Sequence, residues 1–164
     1  MIIRGGDEET GISLRQLLSQ EDFEVLEIAH ERWLDNQVRH PRTQRPGLAI
    51  AGYTRYLDSQ RLQVMGKTEM GYLGQLPLPE QEKRVKAFLA CRIPGLVVSE
   101  GQLVPDFMAT HSGRYHIPVI RSRLRASLLI PRISRLLYAH FSQKIRLNGV
   151  LMDVMGVGTL ITGD

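Results

Sequence analysis

Two places in the chain put residues in an order that could hold a phosphate. The first is LQVMGKTE, Leu62 to Glu69, where a short apolar run closes on Gly66 and is followed by Lys67 and Thr68. A strand ending in glycine, then a lysine beside a hydroxyl, matches the last part of a Walker loop, in which backbone amides and the lysine grip the phosphates. The full loop also needs an earlier glycine, so that the chain can wrap its amides around the anion. Leu62, Gln63, Val64 and Met65 supply none. Lys67 and Thr68 therefore stand as anion or ligand candidates at a helix start, where free N–H groups and the dipole favour negative charge. The second place is GVGTLITGD, Gly156 to Asp164. TLITG supplies a strand and the first glycine of the pattern, Gly163, and Asp164 would be the first variable position. Gly163 is thus a candidate nucleotide-binding residue of an incomplete loop.

Other chemistry has little support along the chain. No G-x-S-x-G elbow is present to expose a nucleophilic serine. The histidines at 30, 40, 111, 116 and 140 are scattered. His111 and His116 are five apart with no glutamate between them, which does not fit a helical zinc pair. His140 reads as a packed histidine near the apolar face of its helix. A single cysteine, Cys91, gives no thiolate metal site. Hence no catalytic or metal residue is assigned within the chain. Between Asp106 and Asp153 there is no acidic residue, while Arg114, Arg121, Arg123, Arg125, Arg132, Arg135, Lys144 and Arg146 all fall there. Arg121 and Arg123 join Lys67 and Thr68 as anion candidates. The stretch as a whole reads as a solvated basic face balanced by acidic surface elsewhere. No aromatic residues interleave among the arginines from Arg121 to Arg135 to stack on bases, which argues against nucleic acid as a partner.

Composition bounds these readings. A chain of 164 residues suits one main domain with little room for a second. Its 43% hydrophobic and 23% charged residues are ordinary for a globular protein, and the net charge is +4. No apolar stretch approaches the roughly 20 residues that cross a bilayer, so no membrane partner is expected. MIIRGGDEET is too polar for a signal peptide. One cysteine excludes an internal disulfide and points to a reducing, cytoplasmic home. Cys91 itself reads as a buried small hydrophobe.

The elements that must carry these residues follow from spacing. Ser13 and Gln16 form a capping box ahead of Leu14, Leu17 and Leu18. FEVLEIA, residues 23–29, alternates as a strand does. Residues 35–47 read as loop, with Pro41 and Pro46. Leu62–Met65, Gly95–Val98 and Ile117–Ile120 are strand candidates. Helices are expected over Lys67 to about Leu76, from Pro79 across Val85, Phe88 and Leu89, over Pro105 to about Tyr115, and through Leu129 to Phe141, starting close before Pro131 or kinking there. Strands alternating with helices predict an α/β fold with a mainly parallel sheet and crossover helices. IRLNGVLMDVMG and VGTLITG add a β-hairpin at the carboxyl end. The division expected is 1–142 as the main domain and 143–164 as the hairpin.

Several segments together resemble the HPr kinase/phosphorylase family: RPGLAIAGY (Arg45–Tyr53), RLQVMGKTEMGYL (Arg61–Leu73), GLVVSEG (Gly95–Gly101), IPVIRS (Ile117–Ser122) and NGVLMDVMGVGTLITGD (Asn148–Asp164). They occur in the family's order and spacing, from about Ser13 to the end. The resemblance implies the amino-terminal domain of a bifunctional enzyme of bacterial sugar regulation, similar in fold to the first domain of Mur ligases. Members phosphorylate and dephosphorylate a serine of HPr, a carrier of the phosphotransferase system. They use ATP and magnesium, or pyrophosphate, and assemble as hexamers. Regulatory or assembly roles are supposed for this domain. The resemblance places the ATP-binding loop directly after Gly163, so the chain would be inactive alone, carrying only the first strands of the kinase domain. Asn148 stands where the family usually has a histidine, and an asparagine cannot titrate near neutral pH. The alternative is a diverged, stand-alone module for a phosphorylated or nucleotide-sugar ligand, held through Lys67 and the arginines from Arg114 to Arg135.

Overall fold

The computed structural model describes residues 11–142, 149–154 and 157–162. At its centre are three short strands, β4 (Gln63–Met65), β5 (Leu96–Val98) and β6 (Val119–Ser122), paired in parallel, with β2 (Val25–Ala29) added antiparallel on the far side of β6. The sheet order is β2-β6-β5-β4. A second, two-stranded ladder joins β1 (Ile12–Ser13) to β3 (Gln37–Val38). Residues 37 and 38 therefore do not stay in the loop expected over 35–47. Val38 is fully buried, and pairing with β1 satisfies backbone that would otherwise lose water.

Side chains on successive strand residues point to opposite faces, and both faces are covered. Val64, Val97 and Ile120 pack with Leu14, Leu17, Leu129, Ile133 and Leu137, from α1 (Leu14–Ser19) and α6 (Ala126–Phe141). Met65, Leu96, Val98 and Val119 pack instead with Leu73, Val85, Phe88, Leu89 and Met108. These belong to α3 (Lys67–Gly74), α4 (Leu78–Leu89) and α5 (Asp106–Arg114). A one-turn helix, α2 (Gly47–Ile50), adds Ala49 and Ile50 to the second layer. The result is helices, sheet, helices, as the alternating pattern predicts.

Local chemistry explains the element ends. Ser13 Oγ accepts the Gln16 amide at 3.1 Å, and Gln16 Oε1 accepts the Ser13 amide at 3.3 Å, closing the expected capping box on α1. Pro79 sits in the first turn of α4, one residue later than expected, because Pro77 caps the helix and Leu78 opens it. Strand β6 begins two residues later than expected. Pro118 precedes it, with its carbonyl accepting the Leu96 amide at 3.0 Å. Helix α6 starts five residues before Pro131 and runs through it. Pro131 is exposed, so the carbonyl that loses its partner there can turn to water.

At the carboxyl end, β7 (Gly149–Val154) and β8 (Val157–Thr162) pair antiparallel with each other and with no other described strand. Among the described residues no helix is long and apolar enough to cross a membrane.

Candidate functional site

Parallel α/β sheets gather ligands beyond the carboxyl ends of their strands. The candidates Lys67, Thr68, Arg121 and Arg123 all lie at that edge, at the ends of β4 and β6, with β5 between them. Gly66 leaves β4 in extended geometry, and α3 begins at the next residue.

The first turn of α3 already faces a carboxylate of its own chain. Glu69 is only 5% exposed, and its Oε2 accepts the Gly66 amide at 2.9 Å. Arg45 reaches across from the segment before α2 and grips the same carboxylate at both oxygens, Nε to Oε1 at 3.1 Å and Nη2 to Oε2 at 2.7 Å. Such a two-pronged pair is the strongest geometry available to a guanidinium and a carboxylate. Burial pushes the Glu69 carboxyl up, but the Arg45 guanidinium and the amides around it outweigh that and hold it below its ordinary value. The same contacts raise Arg45. Arg45 and Glu69 lie 24 positions apart, so their partnership was invisible to spacing. The one signal was Glu69 at the third position of a helix that opens after glycine.

Lys67 and Thr68 are exposed on this turn. Lys67 Nζ lies 3.4 Å from Glu100 Oε2, on the loop after β5. That loop is held tightly. Glu100 and Gly101 both adopt left-handed backbone, with φ of 61° and 63°. Their amides donate to the carbonyls of Leu124 and Ser122, each at 2.8 Å. Below it, Ser99 Oγ donates to the Met65 carbonyl at 3.1 Å, tying β5 to β4. An open cleft of about 550 Å³ lies here, lined by Lys67, Met70, Gly71, Gly101, Gln102 and Leu103 among others. Lys67 is the only charged group in that lining, and Glu100 offsets it.

The two arginine candidates differ. Arg121 is opposite Glu27 in the β2–β6 pairing, and its Nη1 lies 2.7 Å from that carboxylate. Arg123 is exposed, with no side-chain partner among the described residues. The structure thus brings Lys67 to the Glu100 loop and Arg121 to Glu27, and does not gather the four candidates around one point. Gly163 and Asn148 lie outside the described residues.

Part of the basic stretch is balanced: Arg132 and Arg135 both reach Glu21 and Arg121 reaches Glu27, whereas Arg114, Arg123 and Arg125 have no carboxylate partner among the described residues. Two packing expectations change. His140 is exposed, its ring edge-on to Phe141 at 5.0 Å; it lies on the same side of the helix as Leu129, Ile133 and Leu137, but in the last turn, beyond the buried core residues. Cys91 is half-buried, just past α4, and burial pushes its thiol up despite an opposing contact from Thr54. Among the described residues no group of three histidine, cysteine or acidic side chains could hold a metal ion.

The comparisons with known proteins agree with the order of motifs. A family model described as HPr Serine kinase N terminus matches residues 12–137. The HPr kinase/phosphorylase of Bacillus subtilis is 32% identical over 143 residues, covering 87% of this chain and 46% of the relative. That of Bacillus velezensis gives the same figures. The HPr kinase/phosphorylase of a Clostridium botulinum strain is 33% identical over 153 residues, covering 93% of this chain and 49% of the relative. The chain spans about half the length of these curated relatives. With the segment from Ile12 to Leu137 matched as a unit, and the α/β sheet built from the same segments, this chain belongs to the HPr serine kinase amino-terminal family.

Proposed function

We propose that the chain is the regulatory and assembly portion of a bifunctional HPr serine kinase/phosphorylase, acting in the cytoplasm to control carbohydrate use through the phosphotransferase system. The observation that carries this is one of coverage: the similarity takes in 87–93% of the chain but only 46–49% of the HPr kinase/phosphorylases it matches. In this reading ATP, magnesium and the seryl group of HPr are handled by residues that correspond to the other half of those relatives. Residues 1–142 form the regulatory domain, and residues 143–164 begin the kinase domain, with Gly163 as the first glycine of its nucleotide loop.

A role in assembly is consistent with the hairpin. Strands β7 and β8 pair only with each other among the described strands, and open strand edges invite pairing with another copy. Light scattering tests this part of the reading. A homo-oligomer of the 164-residue chain, reduced in mass when the chain is ended after Phe141, is expected. A mass unchanged by that deletion contradicts an assembly role for the hairpin.

A further inference from the structure

A larger cleft lies at the opposite end of the sheet, where β5 and β6 begin. It has a volume of about 680 Å³, within the range of roughly 300–1,000 Å³ found for small-molecule sites. Arg39, Arg92, Arg114 and His116 line it. Three of these are guanidiniums with no side-chain hydrogen bond or ion pair among the described residues. Elsewhere Arg15, Arg45, Arg61, Arg84, Arg121, Arg132 and Arg135 each have a carboxylate partner. Arg123 and Arg125 have none among the described residues, so what sets the cleft apart is that three such guanidiniums line one cavity.

The charge balance of the cleft is positive. Its one carboxylate, Asp35, is held by Arg15, with Nε to Oδ1 at 3.0 Å, and that contact keeps its pKa below the ordinary range. The carboxyl ends of α4 and α5 point toward this side and bring about half a negative charge each. Three full positive charges exceed that sum, and the excess faces open space.

The floor is also well braced. Asn36 Nδ2 donates to the carbonyls of Pro94 at 3.0 Å and His116 at 2.8 Å, pinning the two strand entries together. Trp33 stacks on the His116 ring at 4.2 Å. Arg92 and His116 hold left-handed backbone, with φ of 55° and 60°. Such conformations are unfavourable in residues other than glycine and persist where surroundings enforce them.

We propose that this cleft binds the phosphoryl dianion of a small phosphate-bearing molecule, with Arg39, Arg92 and Arg114 as its ligands. Guanidiniums suit this anion because their paired N–H groups match its oxygens. The site is on the edge of the sheet away from Lys67 and Thr68, and it does not depend on the kinase reading.

Calorimetric titration of the 164-residue chain with inorganic phosphate and with glycerol 2-phosphate, at matched low ionic strength, tests it. Saturable binding is expected for at least one probe. It should weaken tenfold or more in Arg114→Gln and in Arg92→Asn, the latter chosen because asparagine tolerates the left-handed backbone. Lys83→Gln, outside the cleft, should bind as the parent does. Should either cleft variant fail to fold, Arg39→Gln and the shift of the Trp33 and His116 ring signals on adding each probe to the parent protein give the same reading. Equal affinity for the two probes assigns the site to free phosphate, and tighter binding of the ester assigns it to a phosphorylated metabolite. No saturable binding of either probe, or binding that the cleft variants leave unchanged, overturns the proposal.

Discussion

Arg45→Ala gives the sharpest test of how the α3 entry is held. The wild-type pair sets a 5% exposed carboxylate against a guanidinium that is 46% exposed, at 2.7 Å. Removing one partner of a fully buried pair costs about 3–5 kcal/mol, because a charge is left without its counterpart. Here the lost guanidinium is half in water, and Glu69 keeps the Gly66 amide at 2.9 Å, so about 2 kcal/mol is the reasoned figure. For a chain of this size that corresponds to a fall in Tm of roughly 4–8 °C. Glu69→Gln, which leaves the exposed partner free to hydrate, should cost less, about 1 kcal/mol. The double variant should be more stable than the two losses added together, since they share one interaction. Urea unfolding followed by the fluorescence of Trp33, the only tryptophan, reads all four proteins. The pH dependence has a definite sign. The folded-state pKa of Glu69 is depressed, so the pair's stabilisation is present above the unfolded carboxylate value and is lost as pH falls through the folded one. The gap between wild type and Arg45→Ala should therefore narrow below about pH 4. Additive single losses, or a gap that stays constant from neutral pH to pH 3, would refute the reasoning.

Three further outcomes follow from packing and exposure. Ser13→Ala removes the α1 cap and should lower stability by about 1 kcal/mol in the same urea experiment. Gly113→Ala would place a methyl 2.6 Å from His30 Cε1, where His30 Nε2 lies 2.7 Å from the Ala109 carbonyl; a loss of about 1–3 kcal/mol and a shifted His30 ring signal are expected. Cys91, its thiol pushed up by burial, should be alkylated by iodoacetamide at pH 7.5 several-fold more slowly than free cysteine, and the difference should close in denaturant.

The regular part of the fold was legible because period and punctuation agree. Val64, Val97 and Ile120 belong to short apolar runs bounded by glycine or proline, and Leu129, Ile133 and Leu137 recur at helical spacing. What stayed hidden depends on contacts distant in sequence. The β1–β3 ladder rests on two residues from each strand, too few for any periodicity. The shift of β6 toward Ser122 arises because Arg121 is usable in a strand when Glu27 faces it on β2. At the site, the lysine and hydroxyl after Gly66 were visible, but Arg45 closing on Glu69 was not, since a bidentate pair leaves no mark in local spacing. The cleft escaped for the same reason: Arg114 was visible in the basic stretch, but Arg39 and Arg92 come from two other segments and line one cavity with it only in the folded chain.

The central claim is that phosphoryl transfer in this family's enzymes is performed by residues outside this chain. Its most direct test is to incubate the 164-residue protein with ATP, magnesium and HPr, measure nucleotide binding by calorimetry and detect phosphoserine on HPr by mass spectrometry. The account predicts no magnesium-dependent heat and no phosphoserine, both appearing only when the remaining half found in its relatives is supplied. Micromolar, magnesium-dependent ATP binding, or phosphoserine formed by this chain alone, would contradict it.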